Sequence, residues 1–351
     1  MGKNSNNRDG GCGRETRVKP PSISISREFA PKDDPGTPMS VDDMSRRAVD
    51  SGYIDGDSPA ARFIYGRISY QHISEYFPLL DESTTDLPHT IQSIHRLMSF
   101  DRSFQALLLK YTGLIELQLR SRYSKEMSTR FGAFAHRNPK LYVDSSYFDD
   151  YLKRYSDVVK NALKRKGSKQ ARDIERYGDM PIWEAIEEMP FGMVSKLYSM
   201  TKNRGVRDAV ADSFSCEYQL LKNWLRTLTV VRNRCAHFGK LLGEKIPIMP
   251  KQMKEIDADN GNPFYAALMI MRLLRTNSYY GDLDLLYSTS LAVELAQLFE
   301  DNALLLNTAK IPENWKELLL SEKLTGVRLV LGDAPEDELE FPNSPLSIKL
   351  D

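Results

Sequence analysis

Within the stretch "VVRNRCAHFGKLLG", residues 230–243, an arginine, an asparagine and a histidine fall within six positions. Residues of these types can cleave RNA without help from a metal. The ribose 2′-hydroxyl attacks the adjacent phosphorus, and a histidine either takes the proton from that hydroxyl or protonates the leaving 5′-oxygen. The ordinary histidine pKa of about 6.5 suits either step near neutral pH. An arginine offers a fixed fork of donors to the charge that develops on the phosphate. Arg232 and His237 are the candidates for these roles. Asn233 stands four residues before His237, on the same face of a helix, where it can orient the imidazole or bond the phosphate.

Spacing alone does not single out this pair. "RISYQH" (Arg67–His72) and "RFGAFAH" (Arg130–His136) share the pattern in a chain with only five histidines, so it recurs by chance. Arg232 and His237 are also five residues apart, roughly 140° around a regular helix. Either Arg232 reaches around, the helix distorts, or a second group comes from elsewhere. A two-fold dimer that apposes two copies of the helix would bring together two arginines and two histidines. The competing reading makes His237 a helix cap and Arg232 a surface residue.

The elements that must carry these residues are helices. Leu221, Trp224, Leu225, Leu228, Val231, Cys235 and Phe238 form an apolar stripe on a helix beginning near Cys216. After Pro88, Ile94, Leu97, Phe104, Leu107, Leu108, Tyr111, Leu114 and Ile115 recur at three- and four-residue spacing, with a break expected near "SFDRS". Further helices are expected from Ser40 to Gly52, through "YFDDYLKRYSDVVKNALKRK" to Gly167, in "DMPIWEAIEEM" with Asp179 as N-cap, after Pro190, and over 282–306. Strand-like alternation is nearly absent, so the fold class is all-α. Trp183, Trp224 and Trp315 sit on apolar stripes and read as packing residues, as does Cys235.

Composition supports a globular chain, with 41% hydrophobic and 27% charged residues among 351. No apolar run approaches the roughly 18 residues of a membrane span. The start "MGKNSN" has Asn6 where a myristoylation signal needs Ser or Thr, and no signal-peptide pattern follows. Three cysteines, Cys12, Cys216 and Cys235, build no disulfide framework, and no Cys/His cluster has zinc spacing. The expectation is a reduced, cytoplasmic protein with no cofactor and no structural metal.

Residues 1–38 read as a disordered tail, 39–325 as the helical domain and 326–351 as an acidic C-terminal tail. The net charge is zero, yet "KNALKRKGSKQAR" (160–172) and "TKNRGVR" (201–207) are basic. Lys164, Arg165, Lys166 and Lys169 are candidates to grip a nucleic-acid backbone, against the plainer reading of a solvated helix face.

The wider sequence resembles the Abi-like family, the abortive-infection proteins of the AbiD/AbiF type. "WLRTLTVVRNRCAHFGKL" is similar to the family motif R-N-x-C-A-H-H-x-R-L-W-N. "GRISYQHISEYF" (66–77), "FDRSFQALLLKYTGLIELQLRSRY", "MPIWEAIEEMPFGMVSKLY" and "IPENWKELLL" (311–320) resemble further family elements in the same order. The resemblance implies a HEPN helical bundle, metal-independent endoribonuclease activity, a homodimer formed through the motif helix, and a toxin role in phage defence. It also implies RNA as partner, either substrate or a structured noncoding RNA. The catalytic positions carry over to Arg232, Asn233 and His237. Glu116 and Arg120 match the family's acid and arginine, and they equally make a plain i,i+4 ion pair. Arg67, beside Tyr65 in the early element, either touches RNA or braces the motif helix.

This chain departs from the family pattern after His237. The second histidine is Phe238, the following arginine is Lys240, and the Trp-Asn pair is Leu242-Gly243. Lys240 keeps a charge for RNA but loses the bidentate fork. Phe238 removes a second proton-transfer group. Two other readings therefore stand beside the nuclease: an RNA-binding module with weakened catalysis, and a helical interaction protein in which Arg232 and His237 are structural.

Overall fold

The computed structural model describes residues 39–81, 87–143, 145–275 and 282–325, and three short strands beyond them. The N-terminal tail and most of the acidic segment lie outside the described residues. The helices are α1 (Val41–Asp50), α2 (Pro59–Tyr65), α3 (Tyr70–Ser74), α4 (Phe77–Asp81), α5 (Ile91–Phe131), α6 (Ser145–Lys164), α7 (Lys169–Tyr177) and α8 (Ile182–Glu188). They continue with α9 (Phe191–Met200), α10 (Arg204–Asp212), α11 (Tyr218–Ala236), α12 (Phe264–Leu274), α13 (Asp282–Asp301), α14 (Trp315–Leu319) and α15 (Glu322–Thr325). The fold is all-α, with one small antiparallel sheet of β1 (Arg328–Leu331), β2 (Leu339–Glu340) and β3 (Leu346–Lys349) in the order β1-β3-β2. No described helix is long and apolar enough to cross a membrane.

The organising element is α5, a single helix of 41 residues. The Thr90 hydroxyl caps it by accepting the Ser93 amide at 3.1 Å, and the Asp55 carboxylate accepts the Ile91 amide at 2.6 Å. Gly132, at φ 84°, ends it. The break expected near "SFDRS" does not occur. Phe100, Asp101 and Phe104 are all buried there, and the Ser99 and Ser103 hydroxyls bond to carbonyls one turn back instead of opening the helix. Helices α8, α10, α11, α12 and α13 pack along this rod.

Helix α12 fills the centre. Ten of its 11 residues are buried, so it has no polar face and no periodic pattern by which the sequence could announce it. In α8, Asp179 is not the cap. It is buried and accepts from Arg137, the Tyr155 hydroxyl at 2.7 Å and the Met180 amide, and Pro181 holds the N-cap position. Trp183 is likewise corrected: Ile182, Ala185 and Ile186 take the core face of α8 and leave Trp183 49% exposed. Trp224 and Trp315 are buried as expected.

Candidate active site

The motif sits where α11 stops. Leu221, Trp224, Leu225, Leu228, Val231 and Cys235 bury one face of the helix. Burial pushes the Cys235 thiol up to about 12, so it packs as a small apolar group and not as a nucleophile. The end is a Schellman turn: the Gly239 amide donates to the Arg234 carbonyl at 2.9 Å and the Phe238 amide to the Cys235 carbonyl at 3.1 Å. The left-handed position of that turn, usually a glycine, is Phe238 at φ 54°. This turn swings Phe238 off the buried stripe to which its spacing assigns it and leaves it 65% exposed. His237 is the C-cap, exposed, with its amide donating to the Asn233 carbonyl at 3.1 Å.

Arg232 faces α5. Its Nε lies 3.7 Å from Glu116 Oε2, and its Nη1 is 3.5 Å from Asn233 Oδ1. The other Glu116 oxygen accepts from Arg120. Arg120 is buried and also donates to the Ile186 carbonyl and, at 2.7 Å, to the Met189 carbonyl. Glu116 thus bridges two arginines, one fixed in the core and one part-exposed. Arg232 and Asn233 line a groove of about 680 Å³ with Glu116, Arg120, Arg154 and Glu188. His237 is not part of that lining.

The segment after the motif is clamped to α5. Asp101 is buried; its Oδ2 accepts the Leu241 amide at 2.9 Å and the Tyr76 hydroxyl at 2.6 Å. Burial raises the Asp101 carboxyl above its ordinary range, against these two donors. Gln105 Nε2 donates to the Gly239 carbonyl at 3.1 Å. Lys240, expected at the RNA surface, belongs to this clamp instead. It is 7% exposed, and its ammonium donates to the Glu75 carbonyl at 2.7 Å and lies 3.1 Å from Glu244. Sequence spacing gives no sign of this clamp, because Asp101 and Leu241 are joined across the fold.

The other candidates divide. Of the two alternative Arg–His pairs, His136 is fully buried and Arg130 pairs with Glu126 at 3.0 Å. Arg67 lays its guanidinium on the Phe63 ring, 3.4 Å from the centroid, and His72 contacts the Ser69 hydroxyl at 2.9 Å. In the basic stretch, Lys164 and Lys166 are exposed, but Arg165 pairs with Glu188 at 2.7 Å and Lys169 with Asp173 at 2.9 Å and with Glu184. In the second basic segment Arg204 pairs with Asp208 at 3.0 Å and Arg207 lies over Tyr218. Much of the charge that stands out in the sequence is therefore neutralised locally.

Residues 64–242 match the family model described as Abi-like protein. No curated protein and no solved structure gives a match. The matched span takes in α5, the Glu116–Arg120–Arg232 chain and the capped end of α11, and since it is just over half of the 351 residues, the chain belongs to the Abi-like protein family.

Proposed function

We propose that the protein is a metal-independent endoribonuclease acting as a toxin in abortive infection, the phage-defence role that its family membership suggests. One observation carries the reading. Of the three Arg–His pairs with suitable spacing, Arg232–His237 combines an exposed histidine with an arginine that lines a groove beside Asn233. Arg130–His136 fails because its histidine is buried, and Arg67 lies against the Phe63 ring.

In this reading His237 moves the proton of the 2′-hydroxyl or of the leaving 5′-oxygen. Arg232 holds the charge on phosphorus, with Glu116 fixing the orientation of its guanidinium from behind. Asn233 bonds the phosphate from the next position on the helix. Acid and base together need two proton-transfer groups, and Phe238 supplies none. A homodimer through the ends of two α11 helices provides the second His237. The alternative, an RNA-binding protein without cleavage that holds a structured RNA, is favoured by Phe238 and by the engagement of Arg232 with Glu116.

The test is cleavage of total cellular RNA in EDTA by the wild type, His237→Ala and Arg232→Ala. The expected result is 2′,3′-cyclic phosphate ends from the wild type and a loss of roughly a hundredfold or more in either variant. Equal cleavage by all three proteins would discard the assignment.

A further inference from the structure

Three cavities share Gly192 in their lining. One is the groove of Arg232 and Asn233. From Gly192 the surface depression continues past Arg154 and Tyr151 to a cavity of about 500 Å³ between α6, α9 and α11. A Cβ at Gly192 would meet Thr229 Cγ2 at 3.0 Å, so the missing side chain lets α9 lie close on α11.

The far end of this depression has a single sign of charge. Lys196, Lys222 and Arg226 line it, with no carboxylate among the lining residues. The connecting cavity adds Asp150 beside Arg154, and the motif end sets Arg120, Arg154 and Arg232 against Glu116, Asp157 and Glu188. Lys222 and Arg226 are exposed and stand one turn apart on α11, on the face that continues through Val230 and Asn233 to His237. Beside them Tyr147 is 51% exposed, with the Lys196 ammonium 3.5 Å from its ring centroid.

We propose that this arm of the groove binds single-stranded RNA, leading the strand from Tyr147 along α11 to Asn233 and Arg232. The proposal rests on the nuclease reading above for the identity of the ligand. Cations in a row on one helix face meet successive phosphates, and an exposed tyrosine ring stacks an unpaired base. A duplex keeps its bases stacked on each other and offers this ring nothing between its ends, so a single strand is the form that uses every group present. Lys222 and Asn233 lie about 16 Å apart along the helix, which spaces the stacking end several nucleotides from the cut.

The measurement is fluorescence anisotropy of a short labelled single-stranded RNA on the full-length His237→Ala protein, with the matching duplex as competitor. Lys222→Glu with Arg226→Glu should weaken binding tenfold or more and lower the salt slope by about 1.4, the share of two phosphate contacts. Tyr147→Ala should cost roughly tenfold and Tyr147→Phe little. Alanine at Trp183, which lines neither arm of the groove, should change nothing. Circular dichroism verifies folding, and if the double glutamate protein is unfolded, Lys222→Ala and Tyr147→Ala decide. Binding within twofold of the parent in those variants, or equal competition by duplex, overturns the proposal. If wild-type protein cuts RNA and the groove variants cut it equally well, the groove is wrong and the nuclease reading stands. If RNA binds here and is never cut, the nuclease reading falls and the groove stands.

Discussion

Replacing His136 by phenylalanine should flatten the acid side of the stability curve. His136 is fully buried, and its Nε2 lies 3.1 Å from the Tyr155 hydroxyl. That hydroxyl donates to Asp179, so it accepts from His136, and the proton of the neutral ring sits on Nε2. Nδ1 is buried without a partner. Protonating it would bury both a charge and an unsatisfied donor, and burial accordingly lowers the His136 pKa from 6.5 to about 4, with Arg137 adding to the fall and Asp179 opposing it. The unfolded chain then binds a proton between these two values that the folded chain refuses. The stability contributed by the neutral ring is complete above about pH 6.5 and is lost as the pH falls toward about 4. The loss amounts to about 2 kcal/mol at pH 5 and about 3 kcal/mol at pH 4. Urea unfolding of both proteins at neutral pH and at these two values measures it. The variant should start lower, having lost one hydrogen bond, and decline less. Parallel decline of the two proteins would refute the assignment.

Three further outcomes follow from the packing. Arg120→Ala leaves the Glu116 carboxylate and the Ile186 and Met189 carbonyls without their shared donor, and should cost about 3 kcal/mol or more in denaturant unfolding. Lys240→Ala should lower the melting temperature by several degrees, through loss of the tie to Glu75, while RNA affinity stays within twofold of the parent. Trp224→Ala, at a fully buried residue, should cost about 3–5 kcal/mol, whereas Trp183→Ala, at a half-exposed one, should stay near 1 kcal/mol by the same unfolding measurement.

The sequence was most legible where one face of a helix meets the core and the other meets water. The α11 stripe from Leu221 to Cys235 has that character, and so does most of α5. It was least legible where neighbours decide. Helix α12 is apolar all round and gives no period. Trp183 sits on an apolar stripe and Lys240 at the motif's arginine position, and tertiary contacts reverse both expectations. Phe238 was assigned by helical spacing, which stops applying at the left-handed turn. The Arg–Asn–His set could be picked out by chemistry and by family wording, but not its surroundings. Asp101 and Gln105 clamp the motif segment from more than a hundred residues away. Tyr147 and Lys196 reach the α11 groove from two other helices. Lys222 and Arg226 stand at helical spacing on the same face as Asn233, a signal the sequence does carry.

Both halves of the motif are referenced to one rod. Arg232 takes its position from Glu116, and the segment behind His237 takes its position from Asp101 and Gln105, all on α5. The helix therefore works as a ruler. Adding or removing a single residue between Gln105 and Glu116 would turn one anchor by about 100° and slide it about 1.5 Å relative to the other. No local repacking restores such an offset, since the two anchors hold opposite ends of the same short stretch of chain. Substitutions along this part of α5 are absorbed one side chain at a time, while length changes are not. In descendants of this sequence, the interval between these anchors should keep its length even where its residues drift.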